Sequence, residues 1–163
     1  MSNVSWDDYF MGIAVMASLR SKDENTKVGA CIVSKDNRIL STGFNGAPRK
    51  LADNSVPKTN DMSEGWLNTK YPYVCHSELL AILKYRGSLS EFDGATIYVT
   101  LFPCNECAKA IAQSGISEVV YLGDKHHDED IYVASRRILK DCNINYRQYS
   151  LDRIKIEVDN EEV

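Results

Sequence analysis

From residue 75 onward, helix-like and strand-like runs alternate in a rhythm that few architectures accept. CHSELLAILKYRG (75–87) has helical spacing and stops at Gly87, while ATIYVTL (95–101) is rich in β-branched and aromatic residues. CNECAKAIAQSG (104–115) is helical and closed by Gly115, and SEVVYL (117–122) reads as a strand. DEDIYVASRRILKDC (128–142) follows as a helix and INYRQY (144–149) as a last strand. Strands separated by helices of about 10 to 15 residues are joined by crossovers, which lay the strands parallel and pack the helices on the sheet. The spacing predicts an α/β fold, a three-layer α/β/α sandwich.

The first third of the chain adds a helix and a hairpin. Ser5 is placed to cap a helix whose apolar positions Trp6, Tyr9, Phe10, Ile13, Met16 and Ala17 recur at helical spacing to about Arg20. VGACIVS (28–34) and RILSTGF (38–44) read as strands joined through Asp36 and Asn37, so the five-stranded sheet is expected to be mixed. Residues 45–74 show no period and contain Asn45-Gly46, Pro48, Pro57 and Pro72. An irregular stretch of that length inside a compact domain predicts a substrate or effector loop. DRIKIEVDNEEV (152–163) alternates at Ile154, Ile156 and Val158 before turning acidic, which suggests an edge strand or tail over about 150–163. With no repeat or second domain evident, 1–163 is expected to be one domain.

Composition narrows the function classes. No apolar run approaches a membrane span, and the acidic start MSNVSWDDYF lacks the features of a signal peptide. A cytoplasmic protein is expected, in which five cysteines are thiols or metal ligands rather than bridges. The net charge of −4 and pI near 5.4 argue against a grip on polynucleotide, leaving room for a local basic pocket that binds one phosphate.

Cys104 and Cys107 are three apart and share one side of the first turn of their helix, as a metal requires. His76 heads the preceding helix, and two helices packed on one sheet face would bring these N-termini together. Three ligands are the number a catalytic zinc uses while keeping one position for water. A structural site would need a fourth. Cys75 is too close to His76, Cys31 and Cys142 read as core thiols, and His126 and His127 on a loop stay open as alternatives. Glu78, two residues past His76, is placed to touch a water on the metal and exchange protons with it. For a phosphate, Arg20 and Lys22 before the first strand are the candidates from charge, against the plainer reading of a solvated helix end.

H-x-E…P-C-x-x-C is the signature of zinc nucleobase deaminases. SKDENTKVGACIV, GFNGAP, NTKYPYVCHSELLAI, ATIYVTLFPCNECAKAIAQSGISEVVY and GDKHHDED together resemble the deoxycytidylate deaminase branch over about residues 21–149. The resemblance implies a cytidine-deaminase type of fold, one Zn²⁺ per chain, and hydrolysis of dCMP to dUMP and ammonia in pyrimidine nucleotide biosynthesis, with Glu78 shuttling protons. It implies a homo-oligomer, a hexamer in particular, activated by dCTP and inhibited by dTTP with Mg²⁺ accompanying the effector. Asn25, Thr26, Ala30, Ser77, Phe102, Pro103 and His126 are expected near the substrate, and Asn45 and Gly46 near the effector.

The chain departs from the pattern at Leu80, where the family has an asparagine, at His126, where it has a tyrosine, and at Phe44. These changes keep two other expectations in view: deamination of dCTP or a 5-substituted dCMP, and a nucleotide-binding member of the fold without catalysis. A polynucleotide editor is disfavoured by the acidic balance.

Overall fold

A computed structural model describes residues 3–150 of the chain. Helix α1 (Trp6–Ser18) begins at a capping box in which the Ser5 hydroxyl accepts from the Asp8 N–H at 3.0 Å and Asp8 accepts from the Ser5 N–H. Strands β1 (Gly29–Val33) and β2 (Ile39–Phe44) form the hairpin, turned at Asn37 with φ +62°, a left-handed conformation that asparagine tolerates. Then come α2 (Ser77–Lys84), β3 (Thr96–Leu101), α3 (Asn105–Ser114), β4 (Glu118–Gly123), α4 (Asp130–Asp141) and β5 (Asn145–Gln148). Gly115 ends α3 at φ +94°.

Helix α2 stops three residues short of the Gly87 expected from the sequence. Tyr85 is extended, its ring packs 4.8 Å from that of Phe92, and its hydroxyl bonds Glu91, so burial of the aromatic draws the chain out of the helix. The irregular stretch holds one-turn 3₁₀ helices at Asp53–Ser55, Met62–Glu64 and Trp66–Asn68 and is tied down by a bridge between Gly46 and Cys75. The tail expected over 150–163 lies almost wholly outside the described residues.

The strand order is β2-β1-β3-β4-β5. Strand β1 runs antiparallel to both neighbours, and β3, β4 and β5 are mutually parallel. The crossovers through α3 and α4 follow the sequence rhythm, whereas the one through α2 passes over β1 to link β2 with β3. The period-two pattern divides the core. Ala30, Ile32, Ile97, Val99, Val119 and Tyr121 pack with Ala81 of α2, Ile111 of α3 and Leu139 of α4. Cys31, Val33, Tyr98 and Val120 pack with Phe10, Met11 and Ala14 of α1. Each large aliphatic or aromatic side chain so buried contributes roughly 1.5–3 kcal/mol. Among the described residues no helix is long and apolar enough to cross a membrane.

This topology gathers one edge of the sheet. The carboxyl ends of β2, β3 and β4, the amino end of β1 and the N-termini of α2 and α3 meet there, the place where open α/β sheets bind ligands.

Candidate metal centre

His76 and Cys104 are the N-cap residues of α2 and α3, and Cys107 lies in the first turn of α3. The two cap side chains turn toward each other. His76 Nδ1 is 3.3 Å from Cys104 Sγ and 3.5 Å from Cys107 Sγ, and all three donor atoms lie within 4.8 Å of one another. Cys104 is pulled down to about 4, first by the hydrogen bond from Cys107 and then, against burial, by His76. His76 is raised to about 9, first by the Cys104 sulfur, and Cys107 is raised well above the ordinary thiol value by Cys104 and burial. Three donors that must share protons this closely are a set a cation can bind in the protons' place. One imidazole and two sulfurs are a donor set that suits Zn²⁺ rather than a hard, oxygen-seeking ion.

Among the described residues no fourth His, Cys, Asp or Glu joins the group. Cys31 is in the α1-side core and Cys142 is exposed at the end of α4. His126 pairs through Nδ1 with Glu129 at 2.6 Å, and His127 bonds the Asp124 carbonyl at 3.2 Å.

Glu78 is 3% exposed in the first turn of α2 and borders a cavity that His76 and Cys104 also line. The Ser77 hydroxyl donates to its Oε2 at 2.9 Å. Burial, the dominant influence, pushes its carboxyl up from the usual range even though His76 pulls the other way. A buried carboxyl beside a metal centre can hold or release a proton there, the requirement for general acid–base work.

The cavity measures about 210 Å³. One wall comes from Thr26, Val28 and Asn45, and the Asn45 amide fixes it by accepting from the Val28 N–H at 2.8 Å and donating to the Thr26 carbonyl at 2.9 Å. A second wall is Lys70, Tyr71 and Val74, from the end of the irregular stretch. The third is Phe102, Lys125, His126 and Tyr132. The His126 ring stacks on Tyr132 with centroids 5.4 Å apart and planes 17° from parallel, and burial holds the Tyr132 phenol protonated.

The fold thus brings His76, Ser77, Glu78, Cys104, Cys107, Thr26, Phe102 and His126 to one site, with Asn45 in its wall rather than apart from it. It does not bring Arg20, Lys22 or Gly46 there: they line a neighbouring depression with Arg49, Lys84 and Arg86, where Leu80 also lies. The Asn25 amide donates to the Lys58 carbonyl, Ala30 is buried within β1, and Pro103 is buried between Phe102 and Cys104. Sequence reasoning missed Asp23, Lys70, Lys125 and Tyr132. Lys125 could have been found through the GDKHHDED stretch, but nothing local marks Lys70 within its irregular surroundings.

The family model of the cytidine and deoxycytidylate deaminase zinc-binding region matches residues 4–123. The chain is 43% identical to the deoxycytidylate deaminase of Homo sapiens over 156 residues, covering 96% of this chain and 86% of that protein. It is 45% identical to a probable deoxycytidylate deaminase of Drosophila melanogaster over 158 residues, covering 94% and 77%. Among solved structures, the dCMP deaminase of cyanophage S-TIM5 in complex with dCMP and dUMP superposes with a TM-score of 0.69 at 27% identity, over 91% of this chain and all of that one.

Proposed function

The chain belongs to the cytidine and deoxycytidylate deaminase family, and from that premise we propose that it hydrolyses dCMP to dUMP and ammonia. The observation that carries the proposal is the triad His76, Cys104 and Cys107 with the buried Glu78 beside it at one cavity. Zn²⁺ held by those three donors would acidify water to near-neutral pH and so supply the nucleophile. The chain's own part is proton movement and placement. Glu78 accepts one proton of the attacking water and delivers it to N3 of the cytosine ring. It then takes the remaining proton from the oxygen added at C4 and passes it to the amino group, so that the C4–N bond breaks, ammonia leaves and the oxygen stays as the C4 carbonyl of dUMP. Ser77 orients the carboxylate through its hydrogen bond to Oε2. Burial raises the Glu78 carboxyl above its ordinary value, the direction that favours holding a proton before passing it on. Phe102, His126 and Tyr132 shield the reacting base from water, with Lys125 on the same wall as a cationic partner for the nucleotide phosphate.

The finer reading is of a regulated oligomer formed by copies of one deaminase domain spanning 1–163. Arg20, Lys22, Arg49, Lys84 and Arg86 surround the neighbouring depression. That clustering supports a polyanionic ligand, and dCTP and dTTP fit the chemistry, with Mg²⁺ as the triphosphate's own companion. Gly46 lies in this depression and Asn45 borders both cavities. Because Leu80 lies on this side, its replacement of a polar residue bears on the effector, not on the metal cavity. His126 does face the cavity, which keeps 5-substituted dCMP in view as a substrate.

A substrate panel tests the reading. Zinc-loaded protein is assayed by ultraviolet loss of the cytosine band on dCMP, 5-methyl-dCMP, dCTP, CMP and deoxycytidine, with and without dCTP as activator. Preferred turnover of dCMP is expected, and absence of turnover on the whole panel would remove the enzymatic reading.

A further inference from the structure

Two of the site's loops leave the sheet side by side. The segment 102–104 follows β3 and leads into Cys104, and the segment 124–129 follows β4 and carries Lys125 and His126. The Phe102 N–H donates to the Gly123 carbonyl at 2.8 Å, which extends the parallel ladder to the point where the loops part. Beyond that point α4 spans the two loops, while Lys125 Nζ also reaches the Thr26 hydroxyl at 3.4 Å.

Arg136 of α4 reaches both. Its guanidinium lies 4.2 Å from the centroid of the Phe102 ring and bonds the Asp124 carboxylate. Its Nη1 also donates to the Tyr132 carbonyl at 3.2 Å and, more weakly, to the His127 carbonyl at 3.4 Å. Phe102 is 2% exposed, and its ring packs nearly perpendicular to those of Tyr121 and Tyr146, with centroids 4.8 and 5.7 Å apart. The other Asp124 oxygen, Oδ1, is buried without a hydrogen-bond partner among the described residues, so the guanidinium is what compensates this carboxylate. One planar cation therefore stacks on a cavity residue two positions ahead of a metal ligand and clamps the loop that bears two further cavity residues. Lysine cannot supply the fork and the stacking face together.

From this bridge we infer that Arg136 is a positioning residue for nucleotide binding: it sets Lys125 and His126 at their distance from the metal centre without touching the nucleotide itself. The inference rests on the function proposed above. It predicts a specific kinetic signature. Releasing the clamp lets the 124–129 loop drift and weakens nucleotide binding, while the triad and Glu78, held by α2 and α3, keep their chemistry.

The test compares wild type with Arg136→Met, Arg136→Lys, Asp124→Asn and the Arg136→Met/Asp124→Asn double variant, each zinc-loaded and checked by circular dichroism. Arg136→Met and Asp124→Asn are each expected to raise KM for dCMP about tenfold, with kcat within about threefold and zinc still near one per chain. The Kd for dUMP should rise in parallel, Arg136→Lys should lie between, and the double variant should be no worse than either single, because both act through one bridge. A KM within twofold of wild type in the single variants, a fall in kcat at fixed KM, or multiplying effects in the double would overturn the inference. If Arg136→Met does not fold, Asp124→Asn and Arg136→Lys decide by the same KM criterion. Should wild type itself fail to turn over or bind any nucleotide in the panel, the proposed function fails first, and that outcome is separate from these.

Discussion

Lys70 Nζ lies 2.6 and 2.8 Å from the two carboxylate oxygens of Asp23, a pair 47 residues apart in sequence with side chains only 12% and 5% exposed. The pair stands in the wall of the metal cavity and staples the irregular stretch to the segment before β1. Burial acts to raise the Asp23 carboxyl, but Lys70 and the N–H groups of Thr26 and Asn25 outweigh it and hold the group ionised. Lys70→Met should therefore strand a buried carboxylate and destabilise the protein by about 3–5 kcal/mol. Urea unfolding measures this, and the Lys70→Met/Asp23→Asn double variant should recover much of the loss. A single-variant loss below 1 kcal/mol would show that water replaces the lysine.

Glu78→Gln keeps the shape of the side chain and its hydrogen bond with Ser77 but cannot carry a proton. Zinc content and dUMP affinity should stay near wild type while kcat for dCMP falls about 10²–10⁴-fold. Metal analysis and steady-state assays on the same preparation check this. Retained turnover would take the proton-transfer role from Glu78.

How far the sequence reaches is visible in which residues it placed. Among the described residues the α-helices and strands announced themselves through period, cap or closing glycine, as at Ser5 and Gly115, because those signals are local, whereas the short 3₁₀ turns of the irregular stretch did not. The triad was legible because its spacing is also local within each helix start, and only the packing of α2 on α3 had to be supposed. Lys70 and Arg136 were not legible, since their meaning lies in Asp23 and Asp124, partners brought close by the fold. Arg20 and Lys22 show the reverse limit. Their charge suggested phosphate, but charge carries no address, and the turn after α1 directs both to the neighbouring depression.

Arg147 of β5 forks onto Asp7 of α1 at 2.6 and 2.9 Å, and the Tyr98 hydroxyl donates to the same carboxylate at 2.8 Å. The guanidinium holds the Asp7 carboxyl below its usual range. A carboxyl lowered on folding stabilises above its unfolded value and loses that contribution as pH falls through its folded value. Asp7→Asn should cost about 0.2–1 kcal/mol at pH 7, limited by solvent screening of a pair whose side chains are 44% and 33% exposed. The difference from wild type should begin to shrink below about pH 4, near the unfolded aspartate value. Thermal melts across pH 2–7 report it, and a pH-independent difference would assign the effect to packing.

Removing the metal should cost stability as well as turnover, because the three donors converge only in the folded chain. Chelated protein is expected to melt lower and to recover as zinc is restored, by about 1.4 kcal/mol for each tenfold excess of free zinc over Kd. Cys107→Ala should bind less than one zinc per chain and lose this response. An unchanged melting curve on chelation would argue that the metal contributes nothing to the fold.

Gly43 of β2 is where α2 comes closest to the sheet. A Cβ built there would fall within 3.0 Å of the Ser77 carbonyl oxygen and the Ala81 nitrogen, both backbone atoms of α2 that no rotamer change can move. Gly43→Ala must therefore displace the helix that carries His76 and Glu78, with an expected cost of about 1–3 kcal/mol. The displacement separates the His76 imidazole from the two sulfurs on α3, so zinc affinity and kcat should fall together. Gly46→Ala is the control for stability: its Cβ meets nothing within 4 Å, and a change under about 0.5 kcal/mol is expected. Denaturant titrations and zinc competition with a chromogenic chelator measure both quantities. If Gly43→Ala lost stability but bound zinc as tightly as wild type, the placement of the metal ligands would not depend on how closely α2 lies against β2.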